Sequence, residues 1–267
     1  MKIYAGCSGW SYSSWLGHFY PAKLDSGKFL EYYSKVFDYV EIDSTFYRIP
    51  NLFMTQRWAK VTPAHFRFTA KFPGVITHEK RLGSGIEGDL NYFYESMKPL
   101  REKLLALLLQ LPPSISAKEG LKKIETLPLD KHFRYAVEVR HKSWFDDTVY
   151  KSFKKNDICL VWNQLDEIKA PPVITTDFIY IRLIGDRSIS ETNFGKIQKD
   201  RLKEIQAWAK QVKNNEKKKN IQMAVVAANN HYAGFGPATS NTFRRLIGLP
   251  EVTWEEMKQT AFDAFSK

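Results

Sequence analysis

The sequence predicts an α/β fold: a single (β/α)8 TIM barrel filling residues 1–267. Three observations predict it. The chain has 267 residues, close to the about 250 that one such barrel takes. Eight short apolar runs recur along it: Ile3–Cys7, Tyr39–Asp43, Phe66–Lys71, Leu105–Gln110, Tyr135–Arg140, Ile158–Asn163, Phe178–Leu183 and Gln222–Ala228. Most are separated by a stretch of helical length with one apolar face. Alternating strand and helix give parallel strands joined by right-handed crossovers, and eight such units close into a barrel.

The intervening stretches support this. Gly27–Phe37 sets Phe29, Leu30, Tyr33, Val36 and Phe37 on one helical face. Leu90–Leu104 does the same with Phe93, Met97, Leu100 and Leu104, and Ile197–Val212 with Leu202, Ile205, Trp208 and Ala209. The unit between strands six and seven is irregular: from Asn163 to Phe178 the chain passes Pro171 and Pro172 without a helical pattern, which predicts a loop. Ala238–Gly248 and Glu251–Phe265 read as closing helices, with Thr239 or Ser240 capping the first.

Apolar residues make up 43% and charged residues 26%, the balance of a soluble domain. Cys7 and Cys159 lie in apolar runs without metal or disulfide spacing, which points to a reducing, cytoplasmic compartment. No signal peptide opens the chain. The densest apolar stretch, 104–111, falls short of a membrane span and is closed by Pro112 and Pro113. The net charge of +11 invites an anionic partner: nucleic acid, a phosphorylated metabolite or a carboxylate. Solvated lysines on helix surfaces account for it equally well.

Buried parallel strands should be nearly all apolar, and several here are not. Val40 and Ile42 alternate with Glu41 and Asp43. Phe66, Phe68 and Ala70 alternate with Arg67, Thr69 and Lys71. Tyr135, Val137 and Val139 alternate with Ala136, Glu138 and Arg140, and Ile181 and Leu183 with Tyr180 and Arg182. Side chains alternate faces along a strand. The apolar set therefore faces the helices and the charged set faces the barrel interior, where charges must pair or reach water.

Lys71, Glu138, Arg140 and Arg182 fall late in their strands, where barrel enzymes place their sites. Glu138 is the first choice for general acid or base, its charge set by Arg140 or His141. Lys71 either has a lowered pKa and acts as base or nucleophile, or is an ammonium paired to Glu41 or Glu138. Glu41 completes the candidate catalytic set. Candidate substrate contacts follow from the other strand ends. Strand one offers Ser8, Gly9 with free N–H groups for an anion, and Trp10. Strand two offers Asp43, Thr45 and Tyr47, and strand three His78 in a loop with the features of a lid. Gln110 ends strand four. Trp144 is expected to cover the mouth, and Asn163, Asn229 and Asn230 end strands six and eight.

Scattered histidines without HxH or HExxH spacing make a divalent metal the less favoured reading, and no metal ligands are assigned. No GxGxxG, GxxxxGK[ST] or GxSxG occurs, so no nucleotide cofactor is indicated.

The strand ends CSGWSY, VEIDSTFYRIP, FTAKFP with ITH, LLLQLPP and EVRHKSW, with Arg182 and Asn229-Asn230, resemble the YecE-like family (domain of unknown function 72). The likeness runs from residue 3 to about 248. It implies a TIM barrel, similar in fold to the barrels of sugar isomerases and abasic-site endonucleases, and it supplies pocket residues but no reaction. Strand eight departs from the family's aromatic-Asn-Asn ending and reads Ala227-Ala228-Asn229-Asn230-His231, which puts the nearby pocket floor in doubt. Three functions compete. The first is an enzyme acting on a small anionic or polyhydroxyl ligand. The second is a nucleic-acid binder or processor, and the third is a non-catalytic sensor.

Overall fold

The computed structural model describes residues 1–254 other than 166, 186 and 187. The elements run β1 (Lys2–Ser8), α1 (Phe29–Val36), β2 (Tyr39–Ile42), α2 (Leu52–Val61), β3 (Arg67–Lys71), α3 (Glu87–Met97), β4 (Leu104–Gln110), α4 (Ala117–Glu125) and β5 (Tyr135–Glu138). They continue α5 (Asp147–Lys155), β6 (Ile158–Leu160), β7 (Trp162–Leu165), β8 (Phe178–Gly185), α6 (Leu202–Glu216), β9 (Met223–Ala228), α7 (Asn230–Ala233) and α8 (Gly236–Ile247). The sheet order is β6-β5-β4-β3-β2-β1-β9-β8-β7, and the strand pairs are parallel.

The two outer strands of that order are halves of the predicted sixth strand, split at Val161. The sheet thus begins and ends within one piece of chain and nearly closes on itself. Thr175 fills the ladder at the split: its Oγ1 accepts from Leu160 N at 2.8 Å and donates to Ile158 O at 2.7 Å. As expected, no helix lies between β7 and β8 among the described residues.

The alternation separates two cores. Val40, Ile42, Phe68, Ala70, Leu107 and Val137 pack outward against the helices. Tyr4, Tyr39, Leu108, Cys159, Tyr180 and Val225 pack inside the barrel. Burial pushes both thiols up, to about 12, and the two cysteines are free. Among the described residues, no helix is long and apolar enough to cross a membrane.

Some boundaries differ from the sequence expectation, each for a local reason. The third helix ends at Met97 in a 3-10 segment, Lys98–Lys103, because Pro99 has no N–H to continue the ladder. The sixth starts at Leu202, where Asp200 Oδ1 accepts from Leu202 N at 2.9 Å. Neither Thr239 nor Ser240 caps α8, which starts at Gly236 with Pro237 in its first turn. Ser240 instead donates to Gly6 O at 2.7 Å and docks α8 on β1. The expected helix over Glu251–Phe265 lies outside the described residues beyond Trp254.

Gly6 is where β1 passes closest to its neighbours. A Cβ there would overlap the Tyr39 carbonyl oxygen and stand 2.9 Å from the Tyr33 hydroxyl, which itself joins Cys7 N to Tyr39 O. Gly6→Ala is expected to lower stability by about 1–3 kcal/mol through overpacking, read as a drop in the urea midpoint.

Candidate functional site

Inward-facing residues of the uppermost layer meet at the carboxyl ends of the strands. Glu41 accepts from Ser8 Oγ at 2.5 Å, Tyr180 OH at 2.6 Å, Arg182 Nε at 2.8 Å and Arg182 Nη2 at 2.7 Å. Arg182 Nη1 pairs with Glu138 Oε2 and lies 3.5 Å from Gln110 Oε1. Arg140 Nε closes the chain on Glu138 Oε1 at 2.7 Å. Below this, Tyr39, Thr69 and Tyr180 hydroxyls are linked at 2.6–3.3 Å. Two carboxylates and two guanidiniums thus alternate, and the charges of this buried set balance.

Burial alone raises the Glu138 carboxyl, but Arg182 and Arg140 outweigh it and hold it at about 2. Burial also pushes Glu41 up, and Arg182 with the Ser8 and Tyr180 hydrogen bonds brings it below its ordinary value. A carboxylate held this way carries no proton at neutral pH and is a weak base. Glu138 is therefore held ionised between Arg182 and Arg140.

Lys71 is different. The expected ion pair with Glu41 or Glu138 is not made; no carboxylate lies within 4 Å of Nζ among the described residues, and the ammonium stands 4.4 Å over the Phe46 ring. Burial, then the Arg182 charge, lowers its pKa to about 8 against the pull of Glu41, Glu138 and Asp43. Ile42 pairs with Ala70 across β2 and β3, so Asp43 and Lys71 are the next residues along on adjacent strand ends. Burial and the Glu41 charge raise the Asp43 carboxyl, with Lys71 opposing. His78 reaches the rim on the same side. Its ring meets Phe46 edge-on at 4.8 Å, and burial with the Lys71 and Arg140 charges lowers its pKa.

Beside Asp43 opens a cleft of about 730 Å³. Its wall comes from the segment after β1 (Ser11–Ser14), Glu191, Thr192 and Phe194 after β8, and Asn229 and His231 after β9, with Tyr47 at the lip. The Tyr12 hydroxyl lies 3.0 Å from Ser8 O and 3.4 Å from Asp43 Oδ2. Gly9 (φ +80°) lets the chain turn here; a Cβ would stand 3.0 Å from both Asp43 oxygens.

Several residues expected to contact a substrate are engaged within the fold. Trp144 does not cover the mouth: the 3-10 turn Lys142–Trp144 swings it into the helix layer, where Nε1 donates to Ile115 O at 2.8 Å. His141 is exposed and caps that turn through Ser143 N. Thr45 is buried, donating to Lys71 O at 2.7 Å. Asn230 Oδ1 accepts from Trp15 Nε1 and Gly236 N. Gly9 N is not free for an anion, because it donates to Glu41 O at 2.9 Å. Trp10 packs edge-on against Trp58 at 5.4 Å. Arg67 does not point inside; it donates to Ala64 O and Phe66 O at the lower rim. The lid-like loop is tied down, since Arg81 pairs with Glu119 at 2.9 Å.

Asn229 lines the cleft while its Oδ1 accepts from His231 N. Asn163 is buried on the inner face, donating to Val139 O, with Oδ1 unpartnered. Sequence reasoning did not single out Phe46, Glu191 or Phe194. Phe46 sat visibly in the strand-two loop, but Glu191 and Phe194 carried no signal.

Among the described residues no cluster of three or more His, Cys, Asp or Glu side chains is placed to hold a metal ion. Parallel strands alternating with helices, and charged residues gathered at the strands' carboxyl ends, define a TIM-barrel protein with a polar mouth. The chain belongs to the family described as a protein of unknown function, DUF72, whose sequence profile matches residues 4–261. It is 32% identical over 146 residues to the UPF0759 protein YecE of Escherichia coli (strain K12), covering 54% of this chain and 50% of that protein. It is 32% identical over 158 residues to the UPF0759 protein YunF of Bacillus subtilis (strain 168), covering 56% and 54%. The chain thus matches about half the length of these curated relatives. A crystal structure of a DUF72 family protein from Thermotoga maritima superposes with a TM-score of 0.76 at 25% identity, covering 93% of this chain and 100% of that one. Another from Enterococcus faecalis V583 superposes with a TM-score of 0.72 at 22% identity, covering 93% and 98%.

Proposed function

We propose that the chain is an enzyme that moves a proton on a small anionic or polyhydroxyl substrate at the barrel mouth, with Asp43 as base and Lys71 as acid. The observation that carries this is Lys71: a nearly buried ammonium (9% exposed) at a strand end, with no carboxylate partner among the described residues, next to a carboxyl displaced in the opposite direction. Effective acid–base groups have pKa values near the working pH, and two neighbouring groups drawn toward each other fit that need. The four-charge set of Glu41, Arg182, Glu138 and Arg140 is the fixed frame that holds both strand ends. The proposal includes a reducing, cytoplasmic setting, supported by two free, buried thiols.

The sign of the pH dependence follows. Asp43 is active when ionised, above its raised pKa, and Lys71 when protonated, below about 8. Turnover should therefore follow a bell whose alkaline limb is centred near 8, and Lys71→Arg should move that limb upward. Competitive amine acetylation provides a readout without substrate. Lys71 should gain reactivity with a midpoint near 8, below the ordinary lysine value of 10.5. A Lys71 midpoint indistinguishable from that of the surface lysines would remove the basis of the proposal.

A further inference from the structure

We infer that the cleft beside Asp43 takes a neutral polyhydroxylated compound, a sugar or sugar alcohol, rather than an anion. This rests on the proposal above and narrows its substrate class.

The case is one of unfilled acceptors. Asp43 and Glu191 bring two carboxylates to the cleft, and no lysine or arginine lines it among the described residues. His231 Nε2 faces Glu191 Oε1 at 3.2 Å. With that nitrogen as the donor, Nδ1 is left as an acceptor, and Nδ1 is buried without a partner. The cleft thus presents two carboxylates with acceptor capacity to spare, complementary to a molecule rich in O–H donors.

A phosphate or carboxylate group adds charged acceptors where the wall already carries two carboxylates. Beside a carboxylate it would be repelled, and more strongly than in bulk water because the surroundings are less polarisable. The cations nearest the mouth do not offset this in the cleft: Arg182 and Arg140 are engaged by Glu41 and Glu138, and Lys71 faces Phe46. An amine would satisfy the carboxylates too, and spermidine among the probes separates the two. The hydroxyls of Ser11, Ser13, Ser14 and Thr192 both donate and accept, which suits a polyol's own hydroxyls. Tyr12 and Phe194, edge to face at 6.2 Å, provide an apolar wall for its C–H face.

The test is binding by titration calorimetry and ligand-observed NMR. The probes are the common aldopentoses and aldohexoses, their alditols, their phosphates and aldonic acids, and spermidine. At least one neutral member should bind at millimolar concentration, and about tenfold more tightly than its phosphorylated or acid form. Glu191→Gln, at a side chain 74% exposed and so safe for folding, should weaken that member several-fold. Glu191→Lys should reverse the preference in favour of the phosphorylated form. The inference is overturned if no neutral member binds, if phosphorylated members bind the unmodified protein more tightly than their parents, or if spermidine outcompetes all of them. Binding needs no turnover. Neutral sugars that bind to a protein whose Lys71 titrates like a surface lysine would sink the proton-transfer proposal alone. Turnover of an anionic compound with the bell-shaped profile, and no sugar binding, would sink the inference alone.

Discussion

Arg182→Met should be the most destabilising single substitution at the mouth, costing about 3–5 kcal/mol or more, the range for breaking one side of a buried ion pair. Arg182 is the cation shared by Glu41 and Glu138; among the described residues, its loss leaves Glu41 the Ser8 and Tyr180 hydroxyls and Glu138 the Arg140 guanidinium. Urea denaturation measures the cost, and the pH slope identifies its cause. In the unmodified chain Glu138 sits at about 2, below its ordinary 4.5. Its contribution is therefore fully present above 4.5 and is lost as pH falls toward 2. In Arg182→Met the buried carboxyls lose that cation and their pKa values rise. The variant should gain stability as pH drops from 8 to 5, a range in which Glu138 leaves the parent's stability flat, its contribution being lost only below 4.5. Adding Glu41→Gln and Glu138→Gln should recover much of the loss. A variant no less stable than the parent would mean that Arg182 does not hold these carboxylates.

Lys71→Met should lower turnover by about 10²–10⁴, the usual contribution of a positioned proton donor, while leaving the fold more stable at neutral pH. The second half follows from linkage. The folded-state pKa is about 8 against an ordinary 10.5, so the unfolded chain binds more protons between those values and stability rises with pH through that window. Below it the buried ammonium is a standing cost, and methionine removes the charge while keeping a long side chain against Phe46. Thermal melts at pH 7 and pH 10 should show the variant's advantage shrinking at the higher pH. A variant that loses both activity and stability would indicate a packing role for Lys71.

Much of this was legible from strand parity. The separation of Val40, Ile42 and Ala70 from Glu41, Thr69 and Lys71 follows from side chains alternating along a strand, and burial enforced it. Pairings across the barrel were not legible: Arg182 and Glu41 are 141 residues apart, and nothing local says that Arg182 takes both acids and leaves Lys71 without one. The split at Val161 was also hidden, because it comes from closing the sheet rather than from any breaker residue. Trp144 and Asn230 looked like mouth residues because they follow strand ends. Short turns after β5 and β9 rotate them into the helix layer, a rotation set by Trp144 Nε1 and Asn230 Oδ1 finding partners there.

The two sealed cysteines have a practical consequence. Thiolates are the reactive form, and groups held near 12 inside the barrel wall are almost never in it at neutral pH. Maleimide dyes should pass over the native chain, which is then a blank background for spectroscopy. A single cysteine introduced at Tyr47, 85% exposed at the cleft lip, would accept one fluorophore and report occupancy directly, with no need to delete Cys7 or Cys159.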